Sequence, residues 1–121
     1  MVDKMFKEYL TIMKVFPSRQ RSIIRESQGV FKVYLTNEFN DVWGYLCEKQ
    51  AKVDVLVILP ELPSNAPDFL RLIDKIVMRK RRIVREHSRF KVYLSKKYNN
   101  VWTFLYRLNA KVDILVFPQG F

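Results

Sequence analysis

The chain repeats itself, and this constrains its fold more than any other feature. Residues 31–57 read FKVYLTNEFNDVWGYLCEKQAKVDVLV and residues 90–116 read FKVYLSKKYNNVWTFLYRLNAKVDILV, with 15 identities in 27 positions at an offset of 59. Upstream the match continues at an offset of 60, where Arg21, Ile23, Arg25 and Glu26 answer Arg81, Ile83, Arg85 and Glu86. The one-residue slip falls at Ser27-Gln28-Gly29 against His87-Ser88. A length change there marks a turn, because loops tolerate insertions and strands do not.

Each copy predicts the same local structure. Ile23–Glu26 and Phe31–Leu35 read as a β-hairpin, with Phe31, Val33 and Leu35 on one face and Lys32 and Tyr34 on the other. Phe39, Val42, Trp43 and Leu46 then form an apolar stripe at helical spacing, repeated as Tyr98, Val101, Trp102 and Leu105. Thr36 or Asn37 is placed to cap the first helix and Ser95 the second. Val53–Leu59 and Val112–Phe117 are β-branched runs, as expected of central strands buried on both faces. The strand–helix–strand part predicts a parallel pair joined by a right-handed crossover. An amphipathic helix is expected ahead of each copy, over Asp3–Val15 and Pro67–Met78.

The fold class expected is therefore α/β (α+β): an α-β-β-α-β unit used twice, in one compact domain with a mixed sheet. The first copy spans 1–59, a Pro-rich connector 60–67, and the second copy 68–118. A unit of about 60 residues buries too little surface to stand alone comfortably. The copies are expected to share one core as an intramolecular pseudo-twofold dimer.

Composition narrows the class of partner. The 121 residues carry 22 Lys/Arg against 12 Asp/Glu, a net charge of +10. The longest apolar run, Val55–Leu59, is far below the roughly 20 residues of a membrane helix. Asp3, Lys4, Lys7 and Glu8 break any secretory signal in the opening stretch. Cys47, the single cysteine, allows no intrachain disulfide and suits a reducing, cytoplasmic setting. Residues 1–60 hold nine basic against seven acidic side chains, and residues 61–121 hold thirteen against five. Glu38, Asp41 and Glu48 of the first helix become Lys97, Asn100 and Arg107 in the second. Core packing requires no such change, so a partner or solubility must account for it.

The densest cluster is Arg79-Lys80-Arg81-Arg82, followed by Arg85, Arg89, Lys91, Lys96 and Lys97. On a strand, Arg81 and Arg85 would share a face, as would Arg89, Lys91 and Tyr93. Such a face can grip phosphates through its cations and stack an unpaired base on Tyr93. Arg19, Arg21, Arg25, Lys32 and Tyr34 make a thinner version in the first copy. The function expected is non-enzymatic nucleic-acid binding, with duplex DNA ahead of RNA because a pseudo-twofold protein matches the dyad of a duplex site. No catalytic residue, metal or cofactor is expected, and no membrane partner. A protein partner is a further possibility, as is a homodimer formed through an edge strand.

Two alternatives come from other classes. A basic protein–protein or inhibitor module would use the same surface. A metal-dependent nuclease would need Asp54 and Asp113, which stand at matching places in KVDVLV and KVDILV, to meet across a twofold axis. Against metal binding, each aspartate can pair with Lys52 or Lys111, or with Arg25 or Arg85. Glu26 and Glu86 follow Arg25 and Arg85 and are expected to form cross-strand ion pairs. His87, the lone histidine, has no second ligand beside it. Trp43 and Trp102 are expected in the core.

Overall fold

A computed structural model describes residues 12–119 of the chain. Its strands are β1 (Phe16–Ser22), β2 (Ile24–Ser27), β3 (Val30–Tyr34), β4 (Val53–Ile58), β5 (Lys75–Arg81), β6 (Val84–Glu86), β7 (Arg89–Tyr93) and β8 (Lys111–Pro118). Helix α1 (Asn40–Glu48) follows β3, the short α2 (Asp68–Arg71) precedes β5, and α3 (Asn99–Arg107) follows β7. The chain is mixed α+β, with two antiparallel four-stranded sheets ordered β1-β8-β4-β5 and β2-β3-β7-β6.

The hairpins and long helices lie where the residue pattern puts them. β2 and β3 pair around Gly29, whose φ of 75° supplies the left-handed turn, and His87 takes φ 57° in the shorter turn between β6 and β7. A 3-10 turn opens each helix, and there the Thr36 and Ser95 side chains accept the backbone N–H of Glu38 and Lys97. Trp43 and Trp102 are fully buried, and each indole N–H donates over 2.8 Å to the carbonyl of Thr36 or Ser95. That bond satisfies the one polar atom such a side chain takes into a core.

Three expectations are corrected. First, there is no parallel crossover among the described residues. β3 pairs antiparallel with β7 in one sheet and β4 pairs antiparallel with β8 in the other, so α1 carries the chain between sheets rather than back along one. Second, the helix expected over Pro67–Met78 stops at Arg71, and Lys75 begins a strand. Ile76 and Met78 point into the core while Lys75, Val77 and Arg79 are exposed, a period of two that overrides the helical spacing of Leu70 and Ile73. The corresponding expectation for Asp3–Val15 lies largely outside the described residues. Third, β4 and β8 are central as expected but buried mainly on one side. Val53, Val55 and Val57 are inaccessible, whereas Ile58 is 37% exposed and the neighbouring Val77 on β5 is 50% exposed.

The core draws on both halves of the chain. Phe16, Val33, Trp43, Val55, Leu70, Val92, Trp102 and Ile114 belong to one buried cluster. Helix α1 lies against β7, where Gly44 faces the Phe90 ring, and α3 lies against β3, where Tyr106 meets Phe31 at 5.9 Å. Two backbone bonds extend the β3–β7 ladder, Leu35 N–H to Phe90 O and Leu94 N–H to Phe31 O.

Candidate nucleic-acid interface

The outward face of the second sheet holds a closed polar network. The register sets Lys32 opposite Tyr93 and Tyr34 opposite Lys91, with Glu26 and Glu86 on the flanking strands. The Lys32 ammonium lies 3.3 Å from Glu26 and 3.1 Å from Glu86, and the Lys91 ammonium 3.2 Å and 2.6 Å from the same carboxylates. Tyr93 donates its hydroxyl to Glu26 at 2.9 Å, and Tyr34 donates to Glu86. The lysines are 7% and 5% exposed. Hydrogen bonds from Lys91, then Tyr34 and Lys32, draw the Glu86 carboxyl down to about 2. Glu26 is lowered too, chiefly by the Tyr93 hydroxyl. Burial pulls the Lys91 ammonium down, but its bonds to the carboxylates outweigh that and leave it raised.

The cross-strand ion pairs expected of the glutamates are present. Their partners are Lys32 and Lys91. Arg25 is exposed, while Arg85 donates to the His87 carbonyl at 3.2 Å and sits 5.8 Å over the Phe90 ring. Lys32, Lys91 and Tyr93 are therefore engaged inside the fold. Nor do Arg81 and Arg85 share a face, because β5 and β6 belong to different sheets.

The two aspartates brace strand bulges. Two residues of β1, Arg19 and Gln20, oppose Asp113, and two of β5, Arg79 and Lys80, oppose Asp54. Gln20 and Lys80 both adopt φ 55°. The Gln20 N–H donates to Asp113 at 2.8 Å and the Lys80 N–H to Asp54 at 3.1 Å. Each carboxylate thus accepts a backbone donor that the bulge removes from the ladder. Asp54 also accepts from the Gln119 amide at 3.1 Å. Asp54 pairs with Phe117 and Asp113 with Ile58, four steps apart on the β4–β8 ladder. At about 3.4 Å per residue that separates them by about 14 Å, too far to share one ion. Among the described residues no group of three or more His, Cys, Asp or Glu side chains could hold a metal.

Six of the other cations line two clefts. Arg79, Arg81 and Lys97 line the first, beside Ser95 and Tyr98. Arg21, Arg89 and Lys111 line the second, beside Tyr34 and Ser22. Neither lining includes a carboxylate. Arg21 and Arg81 are anchored alike, donating to the Tyr34 carbonyl at 2.8 Å and the Tyr93 carbonyl at 3.0 Å. Lys80, Arg82, Lys96 and Lys97 are exposed. Among the described residues none of these cations lies within ion-pair distance of an acid, in contrast to Lys32 and Lys91.

Sequence reasoning missed two features. Lys111 was expected only as a partner of Asp113, yet its ammonium donates to the Ser22 hydroxyl at 2.8 Å. The meeting of Arg21 with Arg89 leaves no local signal, since it depends on long-range pairing of β1 with β8 and of β3 with β7. Comparison with protein-family models, curated proteins and solved structures finds no match.

Proposed function

We propose that the chain binds nucleic acid without transforming it, and that the exposed cations of its second half make the principal contact. The observation that carries this reading is a cleft lined by Arg79, Arg81 and Lys97 with no carboxylate in it. Cations clustered without counter-charge favour a polyanion, whose phosphates release bound salt ions as they are neutralised. Arg82 and Lys96 extend the surface, while Lys32, Lys91 and Tyr93 act as its internal support. Duplex DNA is placed ahead of RNA on the expectation that the two halves are a duplicated unit about an approximate twofold axis. Several matched pairs favour that arrangement: the Arg21 and Arg81 anchors, the Asp113 and Asp54 braces, and the indole bonds of Trp43 and Trp102.

The test is an anisotropy titration of labelled duplex DNA, single-stranded DNA and RNA at several salt concentrations, with and without Mg²⁺. The reading expects duplex binding that weakens steeply with salt, by about 0.9 log units per log of salt for each phosphate contacted, and a probe that stays intact. Failure of the wild-type chain to bind any of the three at low salt would overturn it. Cleavage of the probe that depends on Mg²⁺ would replace it with the nuclease reading.

A further inference from the structure

The second cleft supports an inference of its own. We propose that Arg21, Arg89 and Lys111 form a site for a single phosphate group, at one end of the second sheet only. Each cation is held in place by something other than an acid. Arg21 is fixed by its 2.8 Å bond to the Tyr34 carbonyl. The Arg89 guanidinium lies 3.5 Å over the Tyr34 ring, close enough for a strong cation–π contact. Lys111 is tethered to Ser22 at 2.8 Å. Glu86, which faces Arg89 across the ladder, turns its carboxylate instead to the two buried lysines and Tyr34. Burial first, and then the nearby charge of Arg89, depress the Arg21 pKa.

Two guanidinium forks and an ammonium, all rich in donors, suit the acceptor oxygens of a phosphate. The cleft offers nothing to a base. Arg89 covers the Tyr34 ring, and the Lys32 ammonium lies 5.1 Å from the same ring. The ligand is therefore a phosphate group rather than a nucleoside, whether inorganic, at the end of an oligonucleotide, or within its backbone. The sequence carries its own control: Val30 occupies the position in the first half that Arg89 occupies in the second. This site is separate from the cleft argued above and does not depend on it.

The experiment is isothermal calorimetry of the full chain with inorganic phosphate at constant ionic strength, followed by short oligonucleotides bearing a 5′-phosphate or a 5′-hydroxyl. The wild type should bind phosphate saturably, and Arg89→Val should weaken that binding about tenfold, as expected for loss of one charge-assisted contact. Lys75→Ala, exposed and outside both clefts, should change it less than about twofold. Circular dichroism on Arg89→Val establishes that it folds, and Arg89→Lys, which keeps the charge, should bind between wild type and Arg89→Val. A preference for the 5′-phosphate oligonucleotide identifies a terminal phosphate as the ligand, and equal binding identifies a backbone phosphate. No saturable phosphate binding by the wild type, or equal binding by wild type and Arg89→Val, would overturn the proposal. Duplex-DNA binding that survives such a failure would leave the nucleic-acid reading standing.

Discussion

The two halves of this chain agree where the fold needs a residue and differ over part of the surface that solvent meets. Trp43 and Trp102, Lys32 and Lys91, Glu26 and Glu86, and Asp54 and Asp113 are identical between the halves. All eight are buried, ion-paired or bonded to backbone. By contrast, Ser22, Val30, Glu38 and Glu48 face Arg82, Arg89, Lys97 and Arg107, and in the second half all four are exposed. These shared residues mark support, even where they are charged, and the cations gained in the second half enlarge a surface that already holds Arg79 and Arg81, which the first half shares as Arg19 and Arg21.

That contrast can be broken at its strongest point, the shared network. The Glu26→Gln/Glu86→Gln variant leaves two buried ammonium groups without counter-charge, and its unfolding midpoint should fall by about 10 °C or more. Adding Lys32→Met and Lys91→Met should restore most of the loss. The same network fixes the pH response. Because the Glu86 carboxyl lies at about 2 in the folded chain against an ordinary 4.5, its contribution is full above 4.5 and is lost as pH falls towards 2. Lys91 is raised from 10.5, so its contribution is full below that value and is lost above it. Thermal melts across pH should show a plateau between these limits, with a shallower acid limb in the double variant.

A smaller effect sharpens the surface side of the comparison. Lys97→Glu gives the second half the charge that Glu38 gives the first, and should weaken duplex binding about tenfold, as for loss and reversal of one phosphate contact. Glu38→Lys should strengthen binding, by less, because the first half lacks counterparts to Arg82 and Arg89. Smallest of all is the bulge brace. Asp54→Ala and Asp113→Ala should each cost about 1 kcal/mol of stability, by chemical denaturation, and leave duplex binding intact.

Much of the second sheet was legible in the sequence because its signals are local. The length change located the hairpin turn, and the stripe through Trp43 located α1. The two edge strands of the first sheet were not. Leu70 and Ile73 imitate helical spacing just before β5, and the competing period of two emerges only once Ile76 and Met78 have a core to enter. Lys91 and Tyr93 were read as ligand-facing because their alternation sets them on the outward side of β7. Their engagement by Glu26 comes from β2, more than sixty residues away. Alternation reveals which side of a strand a residue takes, but not who meets it there.

The central claim is that second-half cations make the nucleic-acid contact, and a triple variant in each half tests it most directly. Duplex-DNA affinity should be measured across salt for Arg79→Ala/Arg82→Ala/Lys97→Ala and for Arg19→Ala/Arg25→Ala/Lys52→Ala. The account predicts that the second-half variant loses at least about fiftyfold and has a shallower salt slope, by roughly 0.9 per contact removed, while the first-half variant loses less than about threefold. Equal losses from the two variants, with both still folded, would contradict it.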